Sequence, residues 1–272
     1  MSQDPCTPVT LLSPDGATLT VCSYGGQVLG WAPEPGQERL YISPLTRCGN
    51  GAAVRGGIPV IFPQFSGRGS LPKHGFARDR AWHAQEIPDP LGAAWRARLE
   101  PDDDTLARWP FPFVLQISAR ATARELEVTL QVTNPGERPW SFAAALHNYL
   151  TVGSQDASIG GLAGHSLEQN AAPGEIIEPD GGHDNWPALE RRDVRVLNVA
   201  TPVTLNDPGR PTMVMSGDGF PDRVIWNPGP AAGIADLPDG DERSFVCLEP
   251  AVVDQFMLGA GESWTGRQTL RV

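Results

Sequence analysis

Residues 125–132 read ELEVTLQV, and this octapeptide decides the fold class. Leu126, Val128, Leu130 and Val132 alternate with Glu127, Thr129 and Gln131. A period of two belongs to a strand with one buried and one wet face; a helix places its apolar residues three and four apart. The run stops at NPGERP (134–139), a cluster of turn formers, and a new apolar stretch begins at Trp140. Similar stretches recur outward along the chain: ATLTVCSYGGQVLGW (17–31), FVLQISARAT (113–122), WSFAAALHNYLTV (140–152) and DRVIWNP (222–228). Residues 89–109, DPLGAAWRARLEPDDDTLARW, come nearest to an amphipathic helix, but proline and an acidic run argue against one. The 30 glycines and 27 prolines are spread throughout and punctuate many short elements. With no internal repeat or low-complexity linker, the expectation is an all-β protein, a sandwich or barrel with residues 1–272 as a single domain.

A net charge of −11 speaks against general affinity for nucleic acid or an anionic membrane surface. The charge is uneven. Between Arg47 and Arg80 stand Arg47, Arg55, Arg68, Lys73, Arg78 and Arg80 against one acid, Asp79. Lys73 is the only lysine in the chain. A basic spot on an acidic protein suits a small anionic ligand. Cys6, Cys22, Cys48 and Cys247 lack metal-type spacing, so no zinc site is expected. The opening MSQDPCTPVTLL does not read as a secretory signal, and no apolar run reaches the length of a membrane span. A cytoplasmic protein with reduced thiols is expected.

Four stretches carry candidate chemistry. VRGGIPVIFPQF (54–65) reads as a glycine turn entering an apolar strand, with Arg55 able to offer a planar fork of donors to phosphate and the glycines able to approach a ligand closely. LPKHGFARDR (71–80) repeats the combination with Lys73, His74, Gly75 and Arg78. FAAALHNYLTVG (142–153) sets His147 behind a run of small and apolar residues, where it is either a core histidine satisfied by backbone or a functional one. SFVCLEPAVV (244–253) sets Glu249 inside an apolar strand, where an unpaired carboxylate costs several kcal/mol or shifts its pKa. An ion pair with an arginine is the structural alternative. His83, His165 and His183 sit in polar or glycine-rich contexts and read as surface residues. Most of the eight tryptophans read as core, with one or two available to flank a sugar ring.

Seven blocks in order, LYISPLTRCGNGAAVRGGIPVIFPQF, LPKHGFARDRAW, WPFPFVLQI, LHNYLTVG, DVRVLNV, VIWNP and FVCLEPA, resemble the hexose-6-phosphate mutarotases. These glucose-6-phosphate 1-epimerases fall within the aldose 1-epimerase, galactose mutarotase-like superfamily. The resemblance runs from about residue 16 to the C-terminus. It implies a large antiparallel β-sandwich with an open sugar cleft on one sheet. It also implies interconversion of the α and β anomers of a hexose 6-phosphate without a cofactor, with His147 as general acid and Glu249 as general base. Substrate-holding positions fall on Arg55, Lys73, His74, Arg78 and Asp193. Two positions depart from the family pattern: Lys73 stands where glutamine is usual, and DVRVLN has its arginine displaced by one and lacks a tyrosine. That leaves Asp193 and Asp207 as alternatives for the family's aspartate.

A sugar phosphate is thus the expected partner and the chain an expected monomer, with no nucleic acid or membrane partner. Rival readings are glycoside hydrolysis by Asp193 and Glu249, a mutarotase for unphosphorylated aldoses, and a non-catalytic sugar-phosphate-binding protein on the same scaffold.

Overall fold

The computed structural model describes residues 7–49, 51–179 and 184–272. Its strands pair antiparallel in three sheets of three, eight and nine strands, with one six-residue helix and two single 3-10 turns among the described residues. The opening octapeptide lies in the strand Glu125–Thr133, where Leu126, Val128, Leu130 and Val132 are fully buried and the residues between them partly exposed. Its neighbours Val114–Ala121 and Ser263–Arg271 alternate in the same way. The nine-stranded sheet runs from Trp186–Pro187 through Ser158–Gly160, Val203–Asn206, Met213–Asp218, Ser263–Arg271, Glu125–Thr133, Val114–Ala121 and Ala93–Leu99 to His83–Ile87. One face is wet and the other buried, which is why its sequence alternates cleanly.

The eight-stranded sheet obeys a different pattern. Its order is Ile176–Ile177, Leu167–Gln169, Arg192–Val196, Asp222–Asn227, Phe245–Leu258, Trp140–Leu146 and Val60–Ile61, with Tyr149–Thr151 also paired to Phe245–Leu258. From Phe245 to Val253 every residue is buried, because both faces are covered. One face packs on the nine-stranded sheet through a shared core that includes Ile117, Leu130, Phe142, Leu146 and Leu248. Each such side chain contributes roughly 1.5–3 kcal/mol by leaving water. The other face is roofed by loops. Phe65 packs with Ile61 of the edge strand on Ala143, Ala145 and Val224 on one side, and Tyr41 and Leu237 cover Phe245 and Cys247 on the other. Between these two satellite clusters the sheet is left open.

Several expectations change on contact with the structure. Residues 89–109 divide into the strand Ala93–Leu99 and the helix Asp103–Arg108. The acidic run that spoke against a helix is its cap: Asp102 accepts from the Thr105 backbone N–H at 2.7 Å while Thr105 Oγ1 accepts from the Asp102 N–H at 2.8 Å. The apolar run after the glycine pair forms a strand only at Val60–Ile61. Gly56 and Gly57, with φ of 124° and 63°, do not line the cleft; a Cβ there would lie 2.3 Å from the Tyr41 carbonyl oxygen and 2.4 Å from that of Val28. They serve close backbone packing rather than a ligand. Cys48 is in a disulfide where a thiol was expected, and Cys247 is a buried free thiol. Cys6 and His183 lie outside the described residues. Among the described residues no helix is long and apolar enough to cross a membrane.

Candidate functional site

Strand register assembles the floor of the cleft. Asp193 pairs with Trp226, Trp226 with Cys247, and Cys247 with Tyr149, so one row crosses four strands on one face of the sheet. Two residues along, Val224 pairs with Glu249 and therefore shares that face. His147 follows the last residue of Trp140–Leu146; its N–H donates to the Pro59 carbonyl at 3.0 Å, and its side chain comes to the same floor.

The rim is set by the segment after Ile61. The buried Gln64 amide donates to the carbonyls of Ser66 and Leu71, each at 3.0 Å, and accepts from the Leu71 N–H at 2.9 Å. That closes residues 64–71 into a compact loop and delivers Lys73, His74 and Arg78 over the sheet. His74 is buried; its Nδ1 accepts from the Ser66 N–H at 3.2 Å, which places its ring proton on Nε2. Burial, and then Arg78, hold its pKa well below the ordinary histidine value.

The resulting cleft is lined by Arg55, Phe65, Ser66, Lys73, His74, Arg78, His147, Tyr149, Asn170, Asp193, Val224, Trp226 and Glu249. At its base, His147 Nε2 and Glu249 Oε1 stand 3.3 Å apart with both side chains buried. His147 stacks on Tyr149 with ring centres 4.9 Å apart and meets Trp226 edge-on at 6.0 Å. Among the described residues, His147 Nδ1 and Glu249 Oε2 have no hydrogen-bond partner. Burial, helped by the charge of Asp193, pushes Glu249 well above the usual carboxylate range. Burial, helped by Arg78 and Arg55, pushes His147 well below the usual imidazole range. These opposite directions leave one proton for the pair to share across neutral pH.

The cations of the basic window separate into groups. Arg55 bonds the Tyr149 hydroxyl at 3.0 Å and is ion-paired with Asp236 at 3.0 Å. Arg80 pairs with Asp79, Asp102 and Asp104, away from the cleft. Arg68 forms a two-pronged contact with Glu168, at 3.3 and 2.9 Å. Arg78 donates to the Lys73 carbonyl at 3.0 Å. Among the described residues, neither Lys73 nor Arg78 is ion-paired with a carboxylate.

Every residue expected at the site from the sequence, namely Arg55, Lys73, His74, Arg78, His147, Asp193 and Glu249, lines this one cleft. Between the two candidate aspartates, Asp193 lies in the cleft, whereas Asp207 accepts from the N–H groups of Gly153 and Ser154, each at 2.9 Å, and holds a turn. Of the surface histidines, His83 is exposed and His165 partly buried, its Nδ1 3.1 Å from the Leu197 carbonyl. Tyr149, Asn170 and the buried Cys247 went unmarked in the sequence. Tyr149 stood two residues from His147 in a quoted block, a spacing that signals a shared strand face. Asn170 had no such signal. Its Nδ2 donates to Asp193 Oδ1 at 2.5 Å and its Oδ1 accepts from Arg68 at 3.3 Å. His147, Cys247 and Glu249 bring one ligand atom each to within 4.8 Å of one another, a donor set for a metal ion. Burial pushes the pKa of both the thiol and the carboxyl up, which works against their giving up protons to a cation.

A family model described as aldose 1-epimerase matches residues 8–271. A protein of Cenchrus ciliaris, 32% identical over 263 residues (91% of this chain, 79% of that one), and one of Escherichia coli K12, 32% identical over 238 residues (85% and 78%), both carry the name "Putative glucose-6-phosphate 1-epimerase". A crystal structure from Salmonella typhimurium, described as "a putative mutarotase (YeaD)", superposes with a TM-score of 0.85 at 25% identity, covering 97% of this chain and 89% of that one. A galactose mutarotase-like protein of Lactobacillus casei shares the fold, with a TM-score of 0.75 at 18% identity over 97% of this chain and 99% of that one.

Proposed function

The chain belongs to the aldose 1-epimerase family and is an isomerase of carbohydrates; from that premise we propose that it interconverts the α and β anomers of a hexose 6-phosphate, with glucose 6-phosphate the leading candidate. The observation that carries this reading is the buried His147–Glu249 contact of 3.3 Å at the base of a cleft whose rim holds two cations without carboxylate partners.

Opening a pyranose needs the C1 hydroxyl proton removed as the ring oxygen receives one. Glu249, as carboxylate, takes the first; His147, as imidazolium, gives the second. The ring opens to the aldehyde, the C1–C2 bond turns, and closure on the other face reverses both transfers. Positioned acid and base groups each contribute about 10²–10⁴-fold, and the modest barrier of unaided mutarotation asks for no more. Trp226 lines the cleft and offers apolar ring surface to a sugar, and Asp193 accepts from sugar hydroxyls. Lys73 and Arg78 hold the phosphate, with Arg55 and the His74 Nε2–H completing the rim. The names of the Cenchrus ciliaris and Escherichia coli proteins support the phosphorylated substrate.

Exchange NMR between the anomeric signals of glucose 6-phosphate, with glucose in parallel, tests the reading. Enzyme-dependent exchange of the phosphorylated sugar is expected, reduced about 10²–10⁴-fold in His147→Gln. Equal acceleration of both sugars removes the phosphate from the proposal. A His147→Gln protein as fast as the parent removes the acid.

A further inference from the structure

Tyr149 is buried in the cleft wall with its hydroxyl only half used. The Oη accepts from Arg55 Nη1 at 3.0 Å, and among the described residues no group accepts its proton. Arg55 keeps that role, because a guanidinium stays charged and Asp236 holds its other edge, 3.1 Å from Nε and 3.0 Å from Nη2. Ser43 ties the two together: its N–H donates to the Arg55 carbonyl at 2.9 Å and its Oγ to the Asp236 carbonyl at 2.6 Å. The tyrosine is fixed as well. Its ring stacks on His147 and lies 5.2 Å from Phe245, and its N–H donates to the Gly57 carbonyl at 2.9 Å. Tyr149 therefore faces the cleft as a donor, strengthened by the cation on its oxygen and oriented before a ligand arrives. A buried donor without an acceptor is costly. The nearby carboxylates are engaged elsewhere, Asp193 with Asn170 and Glu249 with His147.

Strand register determines which end of a ligand reaches this donor. Asp193, Trp226, Cys247 and Tyr149 stand in one row across four strands. The floor thus carries an acceptor at one end and a cation-backed donor at the other. A sugar bearing an anionic group complements that polarity in one orientation, hydroxyls toward Asp193 and anion toward Tyr149. A phosphate dianion offers only acceptors and forms stronger hydrogen bonds than a neutral hydroxyl does. Resting on the mutarotase reading above, we propose that Tyr149 is a substrate-binding residue whose O–H donates to the phosphate of the hexose 6-phosphate. The contact is made beneath Lys73 and Arg78, and it selects phosphorylated sugars through binding.

Sulfate is the probe, a tetrahedral dianion without the sugar. It is expected to inhibit glucose 6-phosphate exchange competitively. Tyr149→Phe is expected to raise both the sulfate inhibition constant and the KM for glucose 6-phosphate by about tenfold or more, the worth of one hydrogen bond to a charged group. The change in kcat is expected to be far smaller. Phenylalanine keeps the ring on His147 and leaves Arg55 its Asp236 contacts, so the variant is expected to fold. The chain has three tyrosines, so protein labelled with carbon-13 at tyrosine Cζ gives three NMR signals, and the one missing from Tyr149→Phe belongs to Tyr149. Sulfate is expected to move that signal saturably, over the concentrations at which it inhibits. A signal that ignores sulfate overturns the proposal, and so does a variant with parental KM and sulfate inhibition. A variant whose KM rises while sulfate inhibits as before places the hydroxyl on the sugar ring, which also overturns it. If the parent does not exchange glucose 6-phosphate, the mutarotase reading falls; a sulfate-dependent Tyr149 signal then still supports the anion contact, and an unmoved one still overturns it.

Discussion

Glu249 is buried on a strand whose neighbours are apolar, and at its free end one carboxylate oxygen meets the His147 imidazole at 3.3 Å. A carboxyl in such a place stays protonated to a higher pH than in the unfolded chain, where its value is near 4.5. The sign follows: the unfolded chain ionises first, so the wild type loses stability relative to Glu249→Gln as pH rises above about 4.5. Thermal unfolding of the two proteins from pH 4 to pH 8 is expected to show the variant's Tm advantage widening with pH while its anomer exchange falls about 10²–10⁴-fold. A gap that stays constant places the carboxylate in a solvated setting and contradicts the burial. The same pair shapes the kinetics. Because His147 is pushed down and Glu249 up, kcat/KM is expected to stay level through pH 6 and to fall only on either side of the neutral range.

Four strands and the loop carrying Arg68 meet at one network. Arg195 reaches Asp222 at 2.9 Å, Glu168 at 3.0 Å and Asp254 at 2.5 Å, and Glu168 also receives Arg68 and the Gly174 N–H. Arg68 in turn orients Asn170, which orients Asp193. The network fastens the loop leading to Lys73 to the strand carrying Asp193. Burial works against the charge of Glu168, but Arg68, Gly174 and Arg195 overcome it and hold its pKa at about 2. The stability it lends is complete above about 4.5 and lost as pH falls toward about 2. Glu168→Gln is expected to lower Tm at pH 7, with the deficit closing between those values; a deficit unchanged by acid contradicts the pairing. In the sequence, Arg68 was one more cation in a basic window. Its neutralisation depends on a glutamate 100 positions away, which no local pattern shows.

Across the whole molecule the two large sheets are joined by apolar packing and by buried polar contacts, among them a two-way amide clasp. Asn148 Nδ2 donates to Gln268 Oε1 at 2.9 Å, and Gln268 Nε2 returns a bond to Asn148 Oδ1 at 2.8 Å, with both residues fully buried. Asn148 adjoins His147, so this clasp registers the site against the opposite sheet. Removing one partner strands the other's amide, at about 1–3 kcal/mol. Gln268→Leu is expected to lower Tm by about 2–10 °C and to slow anomer exchange although position 268 does not line the cleft. A Tm loss with exchange untouched contradicts the link to His147.

The alternation of ELEVTLQV was enough to place a half-buried strand, and its kin along the chain were enough for an all-β fold, because burial of one face writes a period of two into contiguous residues. Residue type alone marked His147 and Glu249, since a titratable group amid apolar ones is costly wherever it sits. The tertiary structure decided the rest. Which of six cations stay unpaired, which of two aspartates faces the cleft, and why two glycines adjoin were set by register and by partners far along the chain. Hydrophobic periodicity is a local record of burial, whereas charge pairing and backbone approach depend on which strands lie side by side.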